Sequence, residues 1–357
     1  MNSGSKRIKG RGAQHNPLNP FDRHHQERSH EEGIDLPEDR SSGNTERIEV
    51  FPKSIVNTVK SPDVGMDYSL NPYQGCEHGC TYCYARNSHN YWGYSAGLDF
   101  ERKILVKKEA VQLLEAKLRE LAWKPCAIAL SGNTDCYQPI EKELEITRSL
   151  LQTFLEYRHP VGIITKNALV CRDLDILRKL NKLGLVKVVI SITTLDEQLR
   201  RSMEPRTASI AKRFETVGKL SEAGIPVQVM MAPLIPGLNS HEIMPLVERA
   251  AARGARRVGY TVLRLNGAIA DIFGRWLQTY YPDRAEKVLH QISELHGGVL
   301  SDSRFGKRMK GEGNLAKMIA DTFRIARQRY LGEQDWPEYQ TQHFSIPAKP
   351  GDQMRMF

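Results

Sequence analysis

Asn71-Pro72-Tyr73-Gln74-Gly75-Cys76-Glu77-His78-Gly79-Cys80-Thr81-Tyr82-Cys83-Tyr84 is the stretch around which this chain is organised. Half of the six cysteines fall in it, with three residues between the first pair and two between the second. Thiolate sulfur is a soft ligand for zinc and for iron–sulfur iron. Gly75 and Gly79 give the backbone the freedom to wrap so that several sulfurs aim at one place. Three local thiolates leave one position of a metal centre open, and an open position is where chemistry happens. Three readings compete: unrelated buried thiols, a structural zinc site, and a [4Fe–4S] cluster with one iron free for a small molecule. Zinc usually draws on a second Cys or His pair downstream. Here Cys126, Cys136 and Cys171 are single and lie in or beside apolar runs, and His78 would have to fold back from within the loop. The rest of the chain favours the cluster.

The pattern Cys76-x-x-x-Cys80-x-Tyr82-Cys83, with its aromatic before the third Cys, resembles the signature of the radical S-adenosylmethionine (SAM) enzymes. The resemblance implies that Cys76, Cys80 and Cys83 hold three irons and that SAM chelates the fourth. It also implies that the reduced cluster cleaves SAM into methionine and a 5′-deoxyadenosyl radical, which takes a hydrogen atom from the substrate. A reductant such as flavodoxin or ferredoxin follows from the same resemblance. Matching segments extend over roughly residues 65–265.

With 357 residues and 40% hydrophobic content, the chain can bury one large core or two modest ones. No run approaches the length of a membrane span, and the N-terminus lacks the apolar segment of a secretory signal, so a cytoplasmic enzyme is expected. Clustered thiols in such an enzyme are more often ligands than disulfides. The formal charge of +9 is compatible with a polyanionic partner but ordinary for an enzyme. Residues 1–48 have almost no apolar periodicity and read as a mobile polar arm. Its start, Lys6-Arg7-Ile8-Lys9-Gly10-Arg11-Gly12, is a short basic patch that suits phosphate or plain solvent.

From Glu49 the pattern changes. Met66–Asn71 reads as a strand delivering the cysteine loop, and 109–121 as a helix. Strands are then expected at 126–130, 161–165, 185–192, 227–231 and 257–263, with helices over 141–157, 171–182, 209–223 and 240–252 between them. Gly224 suits the C′ position of its helix. Continuous apolar strands alternating with amphipathic helices mean a parallel sheet covered by helices. Six such units are too few for a closed eight-stranded barrel, and a partial (β/α)6 barrel fits the count. It is also the core fold that the resemblance implies. The division expected is a core over 49–265, a helical extension over 266–331 and an irregular tail from 332.

In such folds ligands lie at the C-terminal strand ends. Asn133, Thr134 and Asp135 follow the second strand; as a bare loop they would cap a helix. The resemblance puts them where the superfamily grips the SAM amino group. Lys166 ends the third strand, as a surface charge or a partner of the SAM carboxylate. Ser191, with Thr193 and Thr194, ends the fourth, within reach of ribose hydroxyls. Arg206 offers a bidentate fork for the same carboxylate. Tyr82 matches a position that contacts adenosine, and Tyr84 either joins it or packs structurally.

Within the superfamily the chain most resembles spore photoproduct lyase and its DNA repair photolyase relatives. Cys83-Tyr84, Asn133-Thr134-Asp135, Thr165-Lys166 and Ser191 through Arg206 carry that likeness. It departs near Gly132, where the lyase's hydrogen-donating cysteine falls. Cys136 can substitute only if its loop turns it inward. Beyond residue 263 helices are expected over 269–280, 284–296 and 313–330. Trp276, Tyr280 and Tyr281 read as core. Arg304-Phe305-Gly306-Lys307-Arg308-Met309-Lys310-Gly311-Glu312-Gly313 has a composition that tracks a phosphate backbone or forms a solvated loop. Two enzyme readings result, one acting on nucleic acid and one on a protein or metabolite. A metal-holding module without turnover is the third.

Overall fold

The computed structural model describes residues 7–21 and 44–348. Ten strands run in chain order: β1 (Glu46–Glu49), β2 (Val56–Thr58), β3 (Tyr68–Leu70), β4 (Tyr73–Gln74), β5 (Lys103–Val106), β6 (Ile128–Leu130), β7 (Val161–Thr165), β8 (Val186–Ser191), β9 (Val227–Leu234) and β10 (Arg257–Val262). The main sheet has the order β10-β9-β8-β7-β6-β3-β2. From β3 to β10 every pairing is parallel, and only β2 runs antiparallel at the edge. The sheet is therefore the six-unit open barrel expected from the sequence. A small second sheet, β1-β5-β4, carries the cysteine loop on its flank.

The strands form where continuous apolar runs are buried on both faces. Val161, Ile163, Val188, Val227 and Val229 are all completely inaccessible and face helices or the barrel interior. The covering helices bury single stripes, as Ile146–Glu156 does with Leu150, Leu151 and Phe154. One expected helix, 141–157, breaks in two at Glu145, which has a φ of +51°. Both oxygens of the buried Glu141 carboxylate accept from Thr147 N–H, at 3.1 and 3.0 Å, so the second helix is capped from within the first. Arg172 neutralises that carboxylate at 2.8 Å.

The C-terminal helices Ile269–Tyr280, Pro282–Leu295 and Gly313–Tyr330 share apolar clusters with the barrel rather than standing apart. Phe323 stacks on Tyr260 of β10 at 4.2 Å. Trp276 is buried, and its indole donates to Ser202 O at 3.0 Å. The tail beyond 332 is irregular yet docked at the opposite end of the barrel from the cysteines. Gln340 N–H bonds Gly184 O, and Ser345 N–H bonds Tyr157 O, each at 3.1 Å.

The expectation of a mobile arm over 1–48 gives way for residues 44–48, which lead into and enter β1, and for residues 7–21. Ala13 is 1% exposed and Arg11 5%, because this segment lies across the back of the cysteine loop. A composition poor in apolar residues hid this, since the segment is held mainly by hydrogen bonds from backbone amides and from polar side chains such as Arg11, Asn16 and Asn19. The remaining arm residues, 1–6 and 22–43, lie outside the described residues, as does the tail from 349.

Gly224 closes its helix as the sequence suggests. Its φ is +78°, and Ile225 N–H reaches back to Leu220 O at 3.0 Å. Gly224→Ala is expected to destabilise the protein by about 1–2 kcal/mol, the cost of an L side chain in the left-handed region. Denaturant unfolding measures it.

Candidate active site

The cysteine loop sits at the C-terminal end of β3, and its two glycines are sterically required. Gly75 has φ +83° and Gly79 φ +66°. A Cβ on Gly75 would lie 2.9 Å from Lys103 O, and one on Gly79 would lie 2.7 Å from Glu101 Oε2. Cys76 and Cys80 are buried, and Cys83 is half-buried. Burial pushes the Cys76 thiol well up, and Asp135 and the other two thiols push it further. Cys80 is pushed up to about 12 by burial and by Glu204, against the pull of Lys166.

Among the described residues, no three Cys, His, Asp or Glu side chains converge on a single-ion position. His78 does not fold back toward the sulfurs. It is 1% exposed, with Nδ1 3.3 Å from Asp135 Oδ2 and Nε2 3.4 Å from Asn167 Nδ2.

The loop is gripped from the next strand end. Gln138 accepts from Glu77 N–H at 2.8 Å and donates to Gly75 O at 3.2 Å. Asn71 Oδ1 accepts from the N–H groups of Asn133 and Thr134 at 2.9 and 3.2 Å. The Asn133 amide donates to Gln74 Oε1 at 2.8 Å and to Ser88 Oγ at 3.0 Å. Thr134 Oγ1 donates to Tyr73 O at 3.3 Å. Asp135 accepts from Thr165 Oγ1 and Lys166 N–H, each at 2.7 Å. Burial pushes the Asp135 carboxyl up, but His78 and these donors outweigh it and hold it at about 2. The three candidates thus stand at the expected strand end, with their side chains clasping the cysteine loop and β7.

Lys166 and Ser191 come together above that loop. The Lys166 ammonium lies 5.8 Å from the Tyr82 ring centroid. Burial lowers its pKa, but Cys80, Glu204 and Asp135 more than reverse this, and it stays charged. Two residues that sequence reasoning passed over complete the group. Glu204 accepts from the Tyr82 hydroxyl, from Thr193 Oγ1 at 2.6 Å and from Arg213 Nη2 at 2.5 Å. Burial pushes Glu204 up, while Arg213 and Lys166 pull it down to about 2. Arg213, 1% exposed, also donates to Ser191 O at 3.0 Å. The signal was the acid in Glu204-Pro205-Arg206, overlooked beside its neighbouring base.

Arg206 is not brought into this group. Its guanidinium turns to Glu77 at 3.4 Å, on the flank of the cysteine loop. Tyr84 lines the open side, 56% exposed, with its hydroxyl donating to Gly132 O. Arg264, just past β10, is half-buried beside it.

Cys136 requires a correction as a catalytic candidate. It is fully buried in the main core, its thiol raised by that burial, with Sγ 3.9 Å from Leu130 O. Ser131 and Gly132 turn the chain with φ of +107° and +114°, and Cys136 ends up in the main apolar core instead of being turned toward the site. A Cβ at Gly132 would meet nothing within 4 Å. The basic 304–313 loop is largely self-neutralised. Arg304 pairs with Asp302 and Glu312, Lys307 with Glu312, and Arg308 with Asp63.

Two buried thiols and one half-buried thiol thus share a loop at the C-terminal end of a parallel open barrel. The Radical SAM superfamily model matches residues 70–250. The chain belongs to the radical SAM superfamily. Superfamily members use a [4Fe–4S] cluster and SAM, and the donor set here fits both. The uncharacterized protein Rv2578c of Mycobacterium tuberculosis is 31% identical over 238 residues, covering 66% of this chain and 70% of that protein. Another uncharacterized relative, MJ0683 of Methanocaldococcus jannaschii, is 32% identical over 193 residues, 54% of this chain and 69% of that one. Among solved structures, spore photoproduct lyase complexed with dinucleoside spore photoproduct superposes with a TM-score of 0.56. It covers 80% of each chain at 18% identity, which is a likeness of fold. No helix among the described residues of this radical SAM protein is long and apolar enough to cross a membrane.

Removing the Glu204 carboxylate strands the buried Arg213. Glu204→Ala is expected to cost about 3–5 kcal/mol, and an added Arg213→Met to recover part of it. Thermal unfolding of the cluster-free protein measures both.

Proposed function

We propose that Cys76, Cys80 and Cys83 hold a [4Fe–4S] cluster with one iron open to SAM, and that the enzyme acts on a nucleic acid. The observation that carries the first half is the thiol trio itself, carried on one short loop at the C-terminal end of β3, with Lys166 close to Cys80. The bound cluster supplies the electron that splits SAM into methionine and a 5′-deoxyadenosyl radical, which removes a hydrogen atom from the substrate.

This chain's residues divide the remaining work. Lys166 pairs with the SAM carboxylate. Ser191 and Tyr82 stand along the nucleoside, with Glu204 and Arg213 fixing Tyr82 and the Ser191 backbone. Asn133, Thr134 and Asp135 hold the strand-end loop that receives the amino group. Arg206 steadies Glu77 in the cysteine loop rather than touching SAM. Tyr84 and Arg264 edge the substrate opening. A reductant of the flavodoxin or ferredoxin kind delivers the electron.

The nucleic-acid reading is supported by the shared fold with a lyase whose complex contains a dinucleoside, by the +9 charge and by Arg264 at the opening. A protein or metabolite substrate is the second reading. It is favoured by the paired bases of the 304–313 loop and by the absence of a thiol at Gly132. Without that thiol the lyase's own reaction is not expected.

The test is anaerobic. Protein reconstituted with iron and sulfide, reduced with dithionite and given SAM is expected to form 5′-deoxyadenosine. A Cys76→Ala, Cys80→Ala, Cys83→Ala triple variant is expected to form none; product from both would sink the assignment. Lys166→Met is expected to weaken SAM binding by about 10–100-fold, the worth of a hydrogen bond to a charged group. DNA and RNA affinity measured at two salt concentrations decides the substrate class, because phosphate contacts make binding fall steeply with salt.

A further inference from the structure

The back of the cysteine loop, away from the barrel opening, rests on a buried ion pair. Glu101 is fully inaccessible, and its carboxylate lies against Gly79, the residue immediately before Cys80. Arg86 Nη2 meets Glu101 Oε1 at 2.5 Å, and Arg86 is itself fully buried. The rest of that guanidinium is spent on carbonyls: Cys80 at 2.9 Å, Ala96 at 3.1 Å and Gly97 at 3.0 Å. A buried pair of this kind is stable only if further hydrogen bonds satisfy its remaining lone pairs.

Those bonds come from the N-terminal segment. Gly12 N–H donates to Glu101 Oε2 at 3.1 Å, and Ala13 N–H donates to Oε1 at 2.7 Å. Arg11 Nη1 adds a bond to Glu101 O at 2.5 Å. Gly12 is pressed so close that a Cβ there would stand 1.8 Å from Gly79 O. The segment then follows the chain beyond the third cysteine. Leu98 N–H bonds His15 O at 3.2 Å, Ser95 Oγ bonds Pro17 O at 2.6 Å, and Asn19 Nδ2 bonds Asn90 O at 3.0 Å. His15 also reaches Asp271 of a C-terminal helix at 2.5 Å.

We infer that residues 11–13 and the Glu101–Arg86 pair form one positioning latch for the iron–sulfur loop, holding Gly79 and the Cys80 carbonyl in place and sealing the loop from behind. The inference rests on the proposed cluster at Cys76, Cys80 and Cys83. The latch acts through the loop, not on the substrate. It sets how firmly the cluster is retained, and the Glu101 charge beside it also sets its reduction potential, which responds to nearby charge and hydrogen bonding.

Full-length Gly12→Val and Glu101→Gln proteins are reconstituted anaerobically, with Leu18→Ala, an exposed position on the same segment, as control. Iron release to a chelator is followed by absorbance, and the cluster midpoint potential by redox titration. Both variants are expected to release iron about tenfold faster or more, as loss of outer-shell partners does at other metal sites. Leu18→Ala is expected to match wild type. Glu101→Gln is expected to move the midpoint to more positive values, because Arg86 then stands uncompensated; a purely structural role would leave it unmoved. Wild-type release rates in both variants overturn the latch. If Glu101→Gln does not fold, a wild-type rate in Gly12→Val alone overturns it. Failure of the wild-type protein to take up any cluster would instead sink the proposed function.

Discussion

Three thiols can share one small volume only if something other than the thiols holds the loop that carries them. Here that constraint is met by pairing every buried charge around the loop. Glu101 and Arg86 stand behind it, Asp135 and His78 beside it, and Glu204 with Arg213 in front. Each acid has backbone or hydroxyl donors as well as its paired side chain, so burial does not leave any of them stranded. The loop backbone is thereby fixed at Gly75, Glu77, Cys80 and Thr81, whose amides and carbonyls bond to groups on other elements.

The barrel explains why these partners are available. A parallel sheet brings the ends of successive strands to one rim, so residues far apart in sequence become neighbours. β6 delivers Asp135, β7 delivers Thr165 and Lys166, and β8 delivers Ser191 and Thr193. The helix Ile210–Glu222 sends Arg213 inward to the same rim. Burial lowers the Lys166 pKa there, and Cys80, Glu204 and Asp135 more than reverse this. A fixed cation beside the thiol trio is the arrangement that an anionic ligand group requires.

Much of this was legible in the chain. Strand positions followed from apolar runs of the right length, and β7 appeared at its expected bounds, residues 161–165. Helices were legible from their stripes, except where Glu141 capped its successor and split one in two. The cysteine spacing announced the centre outright. Other features were hidden for identifiable reasons. Cys136 lies four residues past Gly132, in a loop that begins with two residues in positive φ, and no sequence pattern states which way such a turn sends the side chains beyond it. Residues 7–21 looked unstructured because their packing uses amides and glycine, which hydrophobicity does not register. The basic 304–313 loop looked open to phosphate because spacing does not show that Asp302 and Glu312 turn onto its bases, and because the partner of Arg308, Asp63, is distant in sequence.

The sequence by itself determined the open parallel barrel, the thiol trio and the superfamily, since periodicity and local spacing are properties of short stretches. Only the tertiary structure decided which polar residues face the thiols and which serve as their scaffold. Lys166, Glu204 and Arg213 surround the site, while Arg206 supports the loop and Cys136 belongs to the core. The reason is physical: a side chain's role depends on its burial and on the charge of its neighbours, and both arise only when the strand ends meet.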